Sequence, residues 1–287
     1  MAKFEDKTGK KFNNLLVLKY LGNSKWLCKC DCGNETIVPS ALLNEEPDRR
    51  KKKSCGCLKN KNKPKNESFF EEINSESKGY IFGFIAADGC IQPELKRVKI
   101  DLKDTDVDIL EKIQKEIGHS NQLSYYSQEI NIHGTLYDSH TARLVISSEK
   151  IVQDLESKGL IKHKTDKLNI DFNSFDENIR FDVIRGLFDG DGSLSFNEKT
   201  GNTTLGLTSS NETIDNFISF LKENGISKIY KYHRNPDNKS NATAIIRNKE
   251  DCYNFLTKMY DCKNIYLDRK YKKYLSFKKY YEERKIN

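Results

Sequence analysis

The chain has 287 residues, 36% hydrophobic and 32% charged, with a formal net charge of +7. That length suits one large domain or two modest ones whose cores need no disulfides, and no apolar run is long enough to span a membrane. The opening residues, Met-Ala-Lys-Phe-Glu-Asp-Lys, lack a signal-peptide core, so a soluble, cytosolic protein with no membrane partner is expected. Residues 1–68 hold 16 Lys and Arg against 8 Asp and Glu, whereas the other 219 hold 33 against 34. Any anion-binding groove beyond residue 68 must therefore be built by sorting charge onto one face.

Five of the eight cysteines fall between residues 28 and 57. Two Cys-x-Cys turns can place four thiolates around Zn2+, and in a reducing compartment such clusters are more often metal sites than disulfides. Cys30, Cys32, Cys55 and Cys57 are the expected ligands; Cys28 is the spare, packed beside Trp26 or standing in for Cys30. Between the turns, Arg49, Arg50 and Lys51 head a basic run that suits a phosphate backbone or, more blandly, forms a solvated loop on a folding cap. Residues 1–58 are thus expected to be a small zinc module, and residues 59–74, with Pro64 and several asparagines, a linker.

Residues 81–89 read IFGFIAADG and residues 184–192 read IRGLFDGDG. Each looks like an apolar helix stopped by an Asp-Gly pair, although a helix C-terminus is partially negative and disfavours aspartate. Gly83 with Ala87, and Gly186 with Gly190, repeat four apart on one face, a spacing that lets two backbones approach closely. Packed side by side, the helices would bring Asp88 and Asp191 together. Paired carboxylates repel unless a proton or cation lies between them, which points to Mg2+ and to phosphodiester hydrolysis.

The similarity continues past each motif. A strand candidate at 98–102, a helical pattern at 104–118, β-rich pieces at 122–133 and 142–147 and a helix at 149–158 are matched by 204–208, 210–225, 227–233, 242–247 and 250–259. Lys164 and Lys270 close the two halves at matching positions, and the basic helical stretch from residue 263, Lys272 among it, is a candidate for phosphate contacts with nucleic acid. The plain alternative for both lysines is a solvated surface.

The paired motifs resemble those of the LAGLIDADG homing endonucleases, in the single-chain form with both halves in one polypeptide. That resemblance implies an α+β fold of two αββαββα half-domains, here 75–175 and 176–287, related by a pseudo-twofold and forming a saddle on double-stranded DNA. It places the metal-binding acids at Asp88 and Asp191, assigns Lys164 and Lys270 to the scissile phosphates and gives Asp189 no catalytic part. Base-edge contacts fall to sheet residues such as Tyr125, Asn131 and His133 in one half and Tyr230, Tyr232 and Arg234 in the other, the outward face being left open. Residues 9–58 also resemble a cysteine-rich module at the start of phage-encoded proteins, which implies the cytoplasm of a bacterial or phage-infected cell.

The expected function is monomeric, site-specific cleavage of double-stranded DNA with Mg2+, the Zn2+ being structural. One alternative keeps the fold without the chemistry: an intron RNA splicing cofactor, or a DNA-binding regulator. Another puts all the affinity in residues 1–58.

Overall fold

The computed structural model describes residues 5–43, 52–56, 63–119, 122–132, 134–162, 167–233 and 240–285. Met1–Asn62 and Lys63–Asn287 form two compact units. In the first, β1 (Lys11–Phe12), β2 (Leu15–Gly22), β3 (Lys25–Cys30) and β4 (Glu35–Pro39) make an antiparallel sheet in chain order. Asn23 and Ser24, both at positive φ, close the β2–β3 hairpin with the backbone twist that such two-residue turns need. Alternate residues of β3, Trp26, Cys28 and Cys30, point into a small core with Leu15, Val17 and Val38. The Trp26 indole N–H is satisfied there by Ser40 Oγ at 3.1 Å.

The second unit repeats one order of elements. First come α1 (Glu76–Asp88), β5 (Gly89–Gln92), β6 (Arg97–Lys103), α2 (Val107–Glu116), β7 (Ser124–Ile132), β8 (Thr135–Ser147) and α3 (Glu149–Ser157). Then follow α4 (Glu177–Asp191), β9 (Gly192–Phe196), β10 (Thr203–Ser210), α5 (Asn211–Glu223), β11 (Ile229–Tyr232), β12 (Asn241–Ile246), α6 (Lys249–Tyr260) and an extra helix, α7 (Asp268–Lys285). The strands form two antiparallel sheets, ordered β5-β6-β8-β7 and β9-β10-β12-β11. This is an α+β fold of two αββαββα repeats, and Ser75, Ser148, Asp176, Ser210 and Asn248 cap the N-termini of α1, α3, α4, α5 and α6.

Each sheet buries one row of side chains. In the first, Val98, Ile100, Ala142, Leu144 and Ile146 enter the core; in the second, Leu194, Leu205, Leu207, Ala244 and Ile246 do. The alternate residues stand on the opposite, open face: Arg97, Lys99, Asp101 and Arg143 on one sheet, Ser193, Ser195, Thr208 and Thr243 on the other.

Three features differ from the sequence reading. The apolar pattern marks a single strand behind each motif, whereas two are present, as the αββαββα order implies, because β5 and β9 start at the glycine directly after the motif aspartate. β8 begins at Thr135 rather than residue 142, since its first seven residues extend beyond the core and show no apolar alternation. The stretch predicted as a linker is partly docked: Phe69 and Phe70 are buried, and the Lys65 amide donates to the Gly118 carbonyl. Two adjacent aromatic rings bury too much apolar surface to remain open chain.

Candidate active site

Helices α1 and α4 pack through glycine. A Cβ on Gly83 would strike the Val183 carbonyl and lie 2.9 Å from the Leu187 amide; one on Gly186 would strike the Tyr80 carbonyl and lie 2.7 Å from the Phe84 amide. The contact is reciprocal, because 186 stands to 83 as 183 stands to 80 and 187 to 84, always 103 positions on. That reciprocity is a local twofold. Nearer the C-termini, Gly190 meets the Ala87 methyl, so Gly83, Ala87, Gly186 and Gly190 all lie in the contact.

Both helices end at their aspartates. Asp88 is half-buried and Asp191 exposed, and the capping glycines Gly89 and Gly192 are extended (φ −75° and −83°), so the chain runs straight into β5 and β9. Glycine is required for space rather than for a left-handed turn: a Cβ would lie 2.6 Å from the Ile85 carbonyl in one case and 2.5 Å from the Phe188 carbonyl in the other. The Asp88 carboxylate oxygen lies 3.0 Å from where a Gly190 Cβ would stand, beside Asp191 in sequence. The two motif acids therefore lie at the same end of one tight helix pair.

Lys270, in the first turn of α7, reaches this end from inside the protein. It is 4% exposed, and its Nζ donates to the carbonyls of Phe188 at 2.5 Å, Gly192 at 2.6 Å and Gly190 at 3.4 Å. Burial pushes its pKa down to about 8, against the pull of Asp189; the Arg269 charge lowers it further, and the charges of Asp88 and Asp191 oppose the fall. The solvated-surface reading of this lysine is thus corrected: it caps the helix that carries Asp191, neutralising the partial negative charge that makes an aspartate there unfavourable.

Asp189 is fully buried and accepts hydrogen bonds from Tyr80 Oη, Tyr260 Oη and the Leu267 amide. Burial raises its pKa above the usual carboxylate value, while those donors and Lys270 oppose the rise. Its side chain ties the two motif helices to the segment before α7 and does not reach solvent.

Among the expected sheet contacts, Tyr230 and Tyr232 stand on the open face of the second sheet, opposite Ile245 and Thr243. Tyr125 and Asn131 do not share that placement. They lie in the same row as Ala142, on the helix side, and are exposed because the β7–β8 hairpin outruns the core; Asn131 Oδ1 accepts from the Gly134 amide in its turn. With a period of two, it is Tyr126 that joins Arg143 on the open face. Lys272 is exposed on α7. Lys164, Cys57, Arg49, Arg50, Lys51, His133 and Arg234 fall outside the described residues. The charged row Arg97, Lys99, Asp101 and Arg143 is absent from the sequence reading, although its alternation with Val98, Ile100 and Leu102 marks it.

In the first unit the ligand atoms of Cys30, Cys32 and Cys55 lie within 4.8 Å of one another, and Cys32 and Cys55 Sγ are 3.4 Å apart. Four thiolates around a tetrahedral zinc stand about 3.8 Å apart, so these three are spaced to occupy one face of such a tetrahedron. Cys28 is not part of it. Its thiol is buried beneath the sheet against the Trp26 carbonyl, and burial raises its pKa.

A profile of the LAGLIDADG-like domain matches residues 178–260, from the first turn of α4 to the end of α6. The fold is similar to that of the homing endonuclease I-WcaI bound to its DNA recognition sequence, at 16% identity and a TM-score of 0.50 over 77% of this chain and 91% of that one. The LAGLIDADG homing endonuclease I-GzeII in complex with its DNA target matches at 15% identity and a TM-score of 0.44, over 71% of this chain and 88% of that one. The N-terminal LAGLIDADG domain of DUF199/WhiA matches at 16% identity and a TM-score of 0.42, over 69% of this chain and 89% of that one. No curated protein matches the sequence. No described helix is long and apolar enough to cross a membrane. The chain thus contains a LAGLIDADG-like domain and is similar in structure to homing endonucleases.

Proposed function

We propose that the protein is a monomeric, metal-dependent, site-specific endonuclease of double-stranded DNA. The observation that carries this reading is the pair of aspartates, Asp88 and Asp191, ending two reciprocally packed helices beside a buried lysine. Their hard carboxylate oxygens suit Mg2+, and each would hold its cation from the tip of a helix that cannot slide, because Gly83 and Gly186 fix the register. The cation, when bound, supplies an activated water and stabilisation of the leaving oxygen. The chain's own part is to keep two like charges close, with Lys270 offsetting the carbonyl end of α4. The open sheet faces would lie along the DNA and present side chains to base edges in the major groove.

The Cys30, Cys32 and Cys55 thiols, with Cys57, would hold a structural Zn2+ in the first unit, where the soft donor set suits that ion. The basic excess of residues 1–68 would add affinity that falls with salt.

The test pairs cleavage with binding. Asp88→Asn and Asp191→Asn should each abolish magnesium-dependent cutting of the target while leaving duplex binding within a few-fold of wild type. Loss of binding with retained nicking would overturn the assignment. Wild-type binding without any cleavage would instead leave a regulator or an RNA splicing cofactor on the same fold.

A further inference from the structure

The two repeats carry unlike chemistry at one equivalent place. Gly89, directly after the first motif aspartate, pairs with Ile100, which pairs with Leu144; Gly192 pairs with Leu207, which pairs with Ala244. One step along, on the open face, stand Asp101 opposite Arg143 in the first repeat and Thr208 opposite Thr243 in the second. The first pair is ionic and bidentate: Arg143 Nε donates to Asp101 Oδ1 at 2.6 Å and Nη2 to Oδ2 at 2.8 Å. The second is a single hydroxyl contact of 2.8 Å.

The arginine is held on more than one side. Nη2 also donates to Tyr126 Oη at 2.9 Å, the guanidinium lies 4.6 Å from the Tyr126 ring centroid, and Lys99 Nζ sits 2.9 Å from Asp101 Oδ2. Arg143 nevertheless keeps a third of its side chain exposed. Nε and Nη2 are taken by Asp101 and Tyr126, so Nη1 is the guanidinium nitrogen that these bonds leave over, and the Lys99 ammonium sits on the same carboxylate. A guanine edge offers two acceptors, O6 and N7, in the major groove, whereas cytosine offers an amino donor there. An arginine whose orientation is already fixed also loses less rotamer freedom on contact.

We propose that Arg143 is a guanine-selecting residue of the first half-site, that Asp101 positions it, and that the second half-site makes no such demand because Thr208 and Thr243 replace the pair. This rests on the DNA-binding reading above. Since the pair lies one residue from the strand position opposite Gly89, the selected guanine belongs close to the cut rather than at the end of the site.

The experiment is selection of bound duplexes from a randomised pool by the full chain, with parallel selections for Arg143→Ala, Arg143→Lys, Asp101→Asn and Thr243→Ala. Wild type should enrich guanine at one position in one half-site. Arg143→Ala and Arg143→Lys should reduce that preference roughly 5- to 150-fold and leave the other positions unchanged. Asp101→Asn should relax the same position without weakening overall affinity, a result that misfolding would not give, and Thr243→Ala should leave it intact. Uniform loss of affinity across all sequences would make Arg143 a phosphate contact and overturn the proposal. An unchanged preference in every variant would overturn it too, leaving the endonuclease reading standing, whereas failure of wild type to enrich any duplex would overturn that reading as well.

Discussion

The hydroxyl of Tyr80, on the first motif helix, donates a 2.8 Å hydrogen bond to the Asp189 carboxylate on the second. With Tyr260 and the Leu267 amide as further donors, Asp189 becomes the point where α1, α4, α6 and the segment before α7 meet. Burial holds the Tyr80 phenol well above its ordinary pKa, with the Asp189 charge adding to the effect, so the phenol is the donor throughout the physiological range. Tyr80→Phe should cost about 1.5–3 kcal/mol, the usual worth of a hydrogen bond to a charged group. Asp189→Ala should cost more, because it strands three donors in the core. Urea denaturation of both variants checks the order; a smaller loss for Asp189→Ala than for Tyr80→Phe would contradict it.

The glycine contact gives a second prediction, one that leaves every acidic residue in place. At Gly186 an added methyl would meet the Tyr80 carbonyl and Phe84 amide, main-chain atoms that cannot rotate away. Gly186→Ala should therefore separate the helices, at a cost of at least about 1–3 kcal/mol, despite alanine's better helix propensity. Cleavage should fall further than stability, because the gap between Asp88 and Asp191 widens. Thermal denaturation at saturating magnesium, set beside cleavage rate, checks this; a stabilised and fully active variant would refute the packing argument.

How much of this was legible in the sequence follows from what each signal encodes. The helix contact could be read because Gly83, Ala87, Gly186 and Gly190 recur at the helical period, and the repeat order could be read because apolar spacing marks α2, α3, α5 and α6. The open sheet faces were not legible. Tyr125 and Tyr126 are neighbours of the same type, and only the pairing of β7 with β8 tells which one joins Arg143. Lys270 was legible as a candidate but not as a buried cap, since its carbonyl partners lie about 80 residues earlier in the chain. The Asp189 network was hidden for the same reason: Tyr80 and Tyr260 are long-range partners, and only the difference between the two motifs at one matching place, IFGFIAADG with Ala86 against IRGLFDGDG with Asp189, hinted at it.

At the opposite end of the helix pair, Glu76 gives a pH-dependent prediction. Burial opposes its ionisation, but the Asn264 amide, its side-chain amide, the Arg185 guanidinium and the Ile265 amide outweigh that and hold its pKa below the ordinary 4.5. A carboxyl lowered on folding contributes stability above its unfolded pKa and loses it as pH falls through the folded value. Glu76→Gln should thus be less stable than wild type by about 1–3 kcal/mol near neutrality. The difference should close as the pH drops below 4.5. Urea titrations at neutral and acid pH check the sign, and a gap that widens in acid would reverse the assignment.

In the first unit, the clustered thiols predict metal-linked folding. Among the described residues that core holds eight buried apolar and cysteine side chains, a small core to which a tetrathiolate zinc would add a large part of the stability. Chelation, or Cys55→Ser, should expose Trp26 and shift its fluorescence to longer wavelength, with release of one zinc per chain. Cys28→Ser should leave the zinc content unchanged, because that thiol lies in the core against the Trp26 carbonyl rather than with Cys30, Cys32 and Cys55. One zinc retained after Cys55→Ser, or lost after Cys28→Ser, would reassign the ligands.

Lys270 separates stability from chemistry. Its depressed pKa of about 8 means that burying the ammonium is only partly compensated, so a neutral side chain of similar length removes a cost as well as three contacts. Lys270→Met should therefore destabilise by only about 1–3 kcal/mol, the penalty for leaving buried carbonyls of α4 without a donor. The sign with pH follows from linkage: between pH 8 and 10.5 the unfolded chain binds the proton that the folded chain has released, so wild-type stability gains a term as pH rises through that window. Lys270→Met should lack that rise. If the lysine works as a cap, Lys270→Met will also lose cleavage by loosening Asp191, and Lys270→Arg, too bulky for a site bounded by three carbonyls, will not restore it. Full activity in Lys270→Met with the alkaline term still present would show that neither the cap nor the titration belongs to this residue.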